Sequence, residues 1–83
     1  MKTLAEIKKE LKNNFKSYTV NTILMDEYEG EFTIDVCATV TDAYGNFDKE
    51  YITLEGFESE AKAMKHGKML ATKFACEFEI SNC

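Results

Sequence analysis

The segment from residue 31 to residue 41, EFTIDVCATVT, alternates apolar and polar side chains along its whole length. Its apolar positions are Phe32, Ile34, Val36, Ala38 and Val40, and its polar positions are Thr33, Asp35, Cys37, Thr39 and Thr41. A period of two predicts a β-strand that buries one face and leaves the other open. Such a strand needs neighbours and a cover for its apolar face, so it predicts an antiparallel sheet covered on one side.

Two further segments have strand composition. Residues 18–25, YTVNTILM, are rich in β-branched and aromatic residues, and residues 47–54, FDKEYITL, follow the turn sequence DAYGN. The polar segment 26–31, DEYEGE, contains Gly30 and is predicted to be the loop of the first hairpin.

Amphipathic helices are predicted on both sides of the strands. The first covers residues 3–16 and begins with the T-x-x-E capping box of Thr3 and Glu6. The second covers residues 59–78. Their apolar stripes are Leu4, Ile7, Leu11 and Phe15 in the first helix, and Ala63, Gly67, Leu70, Ala71, Phe74 and Phe78 in the second. Glycine costs about 1 kcal/mol inside a helix, so Gly67 indicates a close approach of the helix to the sheet.

The order of elements is therefore helix, three strands, helix. The chain has 83 residues, no proline and no linker-like segment, which predicts a single domain over residues 1–83. The expected fold class is α+β, with a three-stranded antiparallel sheet and both helices on one face.

The N-terminal segment MKTLAEIKKELKNNF lacks the unbroken apolar core of a signal peptide, and no apolar run is long enough to span a membrane. A cytoplasmic protein is expected. Cys37, Cys76 and Cys83 are odd in number and form no CxxC pair, so we expect free thiols. Cys83, the last residue, is expected to be exposed and able to crosslink.

Sequence motifs for catalysis or metal binding are absent. His66 is the single histidine, and no second ligand or catalytic partner is suggested for it. The acidic residues near the second turn, Asp42, Asp48 and Glu50, do not have the spacing of a calcium loop. We therefore expect no catalytic residue, no metal, no cofactor and no enzymatic activity.

Charge is unevenly distributed along the chain, whose formal net charge is −5. Residues 1–16 contain five lysines and two glutamates, and residues 61–83 contain four lysines and two glutamates. Between them, residues 17–60 contain eleven acidic residues and one lysine, Lys49. Arginine, the preferred ligand of phosphate and guanine, is missing, which disfavours tight nucleic-acid binding.

The element order, together with Glu60-Ala61-Lys62-Ala63-Met64, resembles the double-stranded-RNA-binding domain, whose second helix begins with an E-A-K-x-A motif. The resemblance implies that lysines of this helix contact phosphates and that the first hairpin enters a minor groove. Here Glu58 and Ser59 replace the two leading lysines of the family. The hairpin 26–31 has four acids and neither proline nor histidine.

The acidic middle of the chain favours a binding protein that docks on a basic protein or protein complex by imitating nucleic acid. In size and charge it resembles phage-encoded inhibitors of bacterial defence, such as anti-CRISPR proteins. The predicted partner-binding residues are Asp26, Glu27, Glu29, Glu31 and Asp35, with Tyr28 as an aromatic anchor.

Two alternatives are also consistent with the sequence. The first is a divergent double-stranded-RNA-binding module that uses Lys62, Lys65 and Lys68. The second is a homodimer formed through a strand edge or the open sheet face, with Cys37 and the threonine row in the interface.

Overall fold

The computed structural model describes residues 3–81 as two helices and one four-stranded sheet. The elements in chain order are α1 (Leu4–Asn14), β1 (Ser17–Tyr28), β2 (Glu31–Thr41), β3 (Phe47–Phe57), α2 (Glu60–Phe74) and β4 (Glu77–Ile80). The predicted α+β class and the order α-β-β-β-α are confirmed, and a fourth strand follows the second helix.

The sheet has the strand order β3-β2-β1-β4. β1 pairs antiparallel with β2, and β2 pairs antiparallel with β3, as the sequence predicts. β4 lies parallel to β1, from the pair Thr22–Glu77 to the pair Met25–Ile80. The prediction of three antiparallel strands is therefore wrong in one respect, because the sheet is mixed and has a fourth strand at the free edge of β1.

The first hairpin is tighter than predicted. Asp26, Glu27 and Tyr28 belong to β1 and Glu31 belongs to β2, so residues 26–31 are not a loop. Only Glu29 and Gly30 form the turn, with φ angles of 52° and 81°. Two positive φ angles in a two-residue connection are typical of a type I′ turn, whose twist matches that of the flanking strands.

The second helix ends four residues before its predicted end. Ala75 adopts the left-handed conformation with a φ of 54°, and its N–H donates to the Thr72 carbonyl. The Cys76 N–H donates to the Ala71 carbonyl at 2.9 Å, which completes a Schellman-type helix end. The chain then reverses, so that Phe78, predicted to lie on the helix stripe, lies in β4.

Both helices begin with side-chain caps. The Thr3 hydroxyl accepts a hydrogen bond from the Glu6 N–H, and the Ser59 hydroxyl accepts one from the Lys62 N–H. The predicted cap at Thr3 is thus confirmed, and α1 ends at Asn14, two residues before its predicted end. No helix among residues 3–81 is long and apolar enough to cross a membrane.

The core lies between the helices and one face of the sheet. Its buried residues are Ile7, Leu11, Val20, Ile23, Met25, Ile34, Val36, Ala38, Val40, Ile52, Leu54, Ala63, Leu70 and Ala71. Gly67 is where α2 approaches the sheet most tightly, because a Cβ there would overlap the Phe78 ring and lie 3.0 Å from Ile34 Cδ1. The predicted close approach is confirmed, and it involves β4 as well as β2.

Candidate functional site

The side of the sheet away from the helices, here called the open face, is not covered by any described part of the chain. It carries the predicted polar row of β2, and each of these five side chains is half-buried. The register places Tyr51 beside Cys37, Thr53 beside Asp35 and Phe47 beside Thr41. The open face is therefore a continuous polar and aromatic surface spanning all four strands.

The structure separates the six predicted partner-binding residues into two groups. Strand alternation and pairing place Asp26, Tyr28, Glu31 and Asp35 on the open face. Glu27 pairs with Phe32 on the helix side of the sheet, and Glu29 occupies the turn.

Two acidic residues join the open face from outside the predicted set. Because Phe78 points toward Gly67 and the core, its neighbours Glu77 and Glu79 point to the opposite side of the sheet. Both are exposed. The alternation in Glu77-Phe78-Glu79-Ile80 was the sequence signal for this strand. Five carboxylates of the open face are here called the acidic patch: Asp26, Glu31, Asp35, Glu77 and Glu79.

One member of the acidic patch is held in place by a hydrogen bond. The Thr53 hydroxyl donates to Asp35 Oδ1 at 2.6 Å across the β2–β3 pair. At the hairpin end, Glu31, Thr33 and Glu55 line a recess of about 400 Å³ beside the bulge of β3 at Gly56. Carboxylates on either side of a recess can accept hydrogen bonds from a basic side chain of a partner.

The open face also carries exposed aromatic side chains on β3. Phe47 and Tyr51 on β3 have 79% and 57% of their surface exposed, so neither contributes to the core. Lys49 and Tyr51 line a shallow depression of about 260 Å³ together with Cys37, Leu24 and Glu79 of the acidic patch. Tyr28, at the hairpin end, is 77% exposed. Exposed rings at the margins of a polar face are typical of protein contact surfaces.

The helices form a layer of opposite charge. Residues 3–16 and 58–74, here called the helix layer, carry eight lysines and four glutamates. The remaining described residues, 17–57 and 75–81, carry eleven carboxylates and one lysine, Lys49. Folding therefore converts a chain with basic ends and an acidic middle into a molecule with a basic layer and an acidic layer.

The alternative nucleic-acid-binding residues Lys62, Lys65 and Lys68 are all exposed on α2. The Lys62 ammonium forms an ion pair with Glu58, one turn earlier in the chain, and both side chains are well exposed. The single lysine of the E-A-K-x-A segment is thus partly neutralised by Glu58. Lys62 and Lys65, with His66 and Met69, line a shallow groove of about 230 Å³ on the helix layer.

His66 is half-buried, and its ring lies 5.5 Å from the Phe57 ring between ring centres. Burial lowers the pKa of this histidine below its ordinary value because the charged form loses solvation. Its Nε2 atom is buried and has no hydrogen-bond partner among the described residues. These contacts make His66 a packing residue between α2 and the end of β3.

The two described cysteines are free and half-buried. Burial raises the pKa of Cys37, with a smaller contribution from Asp35, and burial and Glu77 raise that of Cys76. Both thiols are therefore poor nucleophiles at neutral pH. Cys83 lies outside the described residues. Within residues 3–81, no group of three or more histidine, cysteine or carboxylate side chains is placed to hold a metal ion.

No protein-family model, curated protein or solved structure matches this chain. The resemblance to the double-stranded-RNA-binding domain is therefore limited to the order of elements and the short motif at the start of α2.

Proposed function

We propose that this protein is a non-enzymatic binding protein whose open face docks on a basic surface of a partner protein. The clustering of the acidic patch on one uncovered sheet face carries this proposal. Asp26, Glu31 and Asp35 come from the first hairpin, and Glu77 and Glu79 come from the far end of the chain. Carboxylates from distant segments meet on the same side, together with exposed aromatic rings.

Sheet geometry suits this role. Side chains on a strand face recur every two residues, and neighbouring strands lie about 5 Å apart, so the carboxylates form a rigid array. Such an array attracts a basic surface over a distance and speeds association at low salt. The exposed rings of Tyr28 and Tyr51 would supply apolar contact area that charges alone do not provide.

The partner class that fits this surface is a basic nucleic-acid-processing protein or complex, which the open face would occupy in place of nucleic acid. A phage-type inhibitor of a bacterial defence complex, similar in action to anti-CRISPR proteins, is the specific form of this proposal. It rests on the small size of the domain, its net charge of −5 and the acidic patch.

The test is displacement of labelled DNA from a panel of basic nucleic-acid-binding proteins, followed by fluorescence anisotropy. The variant Asp26→Lys/Glu31→Lys changes the open face, and Glu27→Lys/Glu29→Lys makes the same net charge change on the same hairpin outside that face. We expect the wild-type protein and the second variant to displace DNA, and the first to lose at least tenfold in affinity. An equal loss of affinity in both variants would show that the effect depends on net charge alone, and it would contradict docking through the open face.

A second candidate function is phosphate binding by the helix layer, because the lysines of α2 lie on the layer opposite the acidic patch. It predicts binding of labelled double-stranded RNA that weakens steeply between about 50 mM and 150 mM salt. The variant Lys62→Gln/Lys65→Gln/Lys68→Gln should then lose that binding. Absence of binding at the lower salt concentration would eliminate this candidate and leave the open face as the working surface.

A further inference from the structure

The two layers of this molecule are complementary to each other as well as to outside partners. The open face presents the acidic patch on a broad surface, and the helix layer presents an excess of lysines on the opposite side of the same molecule. Within one molecule these surfaces cannot meet, because the core lies between them. Between two molecules they can.

We propose that the helix layer of one copy docks on the open face of a second copy, in a head-to-tail contact centred on α2. This inference goes beyond the proposed function and does not depend on it, since it needs no foreign partner. Charge complementarity between the lysines of α2 and the acidic patch supplies the attraction.

Size is consistent with such a contact. The molecule measures 40 × 25 × 20 Å along its principal axes, so its broad faces are of the order of the surface that each partner buries in a standard interface, ~800 Å². The sheet and the helix layer are the natural broad faces of a two-layer domain.

The exposed aromatic side chains of β3 have a counterpart on the helix layer. Phe47 and Tyr51 project from β3, and the groove lined by Lys62, Lys65, His66 and Met69 offers an apolar floor between two lysines. Lysine over a ring is a favourable arrangement. The molecule already contains one such contact, with Lys8 Nζ lying 5.9 Å from the centre of the Phe74 ring.

A contact between two different surfaces leaves one unused face on each outer copy, so it can propagate beyond a dimer. The net charge of −5 on every copy opposes this growth and keeps the association weak. Self-association would also cover the open face. A basic partner would then have to compete with the helix layer of another copy.

The experiment is sedimentation equilibrium of the full chain, up to about 1 mM protein, in about 25 mM and about 300 mM NaCl. The screening length differs about 3.5-fold between these two salt concentrations. We expect an average mass above the monomer mass of 9.5 kDa at low salt, returning to that mass at high salt. A monomer under all of these conditions would overturn the proposal.

Two variants separate the two surfaces. The helix variant is Lys62→Gln/Lys65→Gln/Lys68→Gln, and the sheet variant is Asp26→Asn/Glu77→Gln/Glu79→Gln. Each should be monomeric alone at low salt, since each lacks one half of the contact. Their mixture should form a heterodimer and stop there, because one intact lysine surface meets one intact acidic surface. If the mixture stays monomeric, the head-to-tail contact is wrong.

The matched control is Lys8→Gln/Lys9→Gln/Lys12→Gln, which removes the same charge from α1. It should keep self-association. Loss of association equal to that of the helix variant would overturn a contact centred on α2. The helix variant retains the acidic patch, so its displacement of DNA from a basic protein tests the proposed function separately, and failure of one proposal does not imply failure of the other.

Discussion

The open face and the helix layer are built from one short chain, yet they use their polar residues in opposite ways. The helix layer buries the centre of each apolar stripe, such as Ile7, Leu11 and Leu70, and exposes lysines around it. The open face buries nothing fully, keeps half-exposed threonines between its carboxylates, and exposes large rings such as Phe47 and Tyr51. A face that retains exposed rings beside carboxylates is suited to contact, whereas lysines spread around a helix also serve solubility.

The comparison also shows how the two layers depend on each other. Glu77 and Glu79 reach the open face only because Phe78, between them, packs against Gly67 of the helix layer. The acidic patch is therefore completed by a packing contact on the other side of the sheet. Four measurements test this link and the turns that support it.

The largest effect is expected for Gly67→Ala, which breaks the contact between the layers. The added Cβ overlaps the Phe78 ring, so we expect a loss of about 1–3 kcal/mol in the free energy of unfolding, despite the helix preference of alanine. Urea denaturation of the variant and the wild-type protein measures this difference in the free energy of unfolding. The neighbouring exposed substitution Lys68→Ala should change stability by less than about 0.5 kcal/mol. A stabilised Gly67→Ala variant would mean that α2 does not approach β4 this closely.

A smaller effect of opposite sign is expected at the hairpin of the acidic patch. Glu29 has a φ of 52°, a conformation that asparagine adopts more easily than glutamate. Glu29→Asn should therefore raise the free energy of unfolding by about 0.5–1 kcal/mol, since it creates the preferred Asn-Gly turn. Glu29→Gln removes the same charge without the turn preference. Equal gains in the two variants would assign the effect to charge and not to the turn.

A gain of similar or slightly smaller size is expected at the end of α2. Ala75 has a φ of 54°, where its Cβ crowds the backbone, so Ala75→Gly should stabilise the protein by about 0.5 kcal/mol. Ala61→Gly, at an exposed position within the same helix, should destabilise it by about 0.5–1 kcal/mol. Thermal unfolding of both variants compares the two positions. If both variants are less stable than the wild-type protein, α2 continues past Ala75 and residues 77–80 do not form β4.

The smallest effect is expected in the pH dependence of stability. Because the pKa of His66 is lower in the folded chain, the unfolded chain binds a proton first as the pH falls below about 6.5. Stability should therefore decrease with falling pH through that value and stop decreasing below the folded pKa. The variant His66→Gln lacks this titrating group, so the difference between the two profiles of stability against pH isolates the contribution of His66. Glu58 and Lys62 are the charged residues that line a shallow cavity with His66 and Phe57, and both are unchanged in that comparison. Identical pH profiles would contradict the packing of His66 against Phe57.

Local sequence patterns were sufficient for most of the fold. The alternation in residues 31–41 predicted β2 and its two faces, and Thr3 predicted the start of α1, because side-chain periodicity and capping depend on neighbours within a few residues. Gly67 likewise indicated a close approach. The same alternation placed Asp35 on the open face. Asp26, Tyr28 and Glu31 were predicted to lie in a loop, and they reach that face because β1 and β2 extend to the turn at Glu29 and Gly30.

Tertiary structure decided the rest, most clearly at the C-terminal end. Phe78 lies four residues after Phe74, which fits a helix stripe, and also alternates with Glu77 and Glu79, which fits a strand. Local preference cannot choose between these two readings. The choice depends on hydrogen bonds to β1, more than fifty residues earlier, and on the space left by Gly67. Sequence by itself therefore determined the order of the first five elements, the open face and the uneven charge. Only long-range pairing placed Glu77 and Glu79 beside the hairpin carboxylates and set the acidic sheet against the basic helix layer.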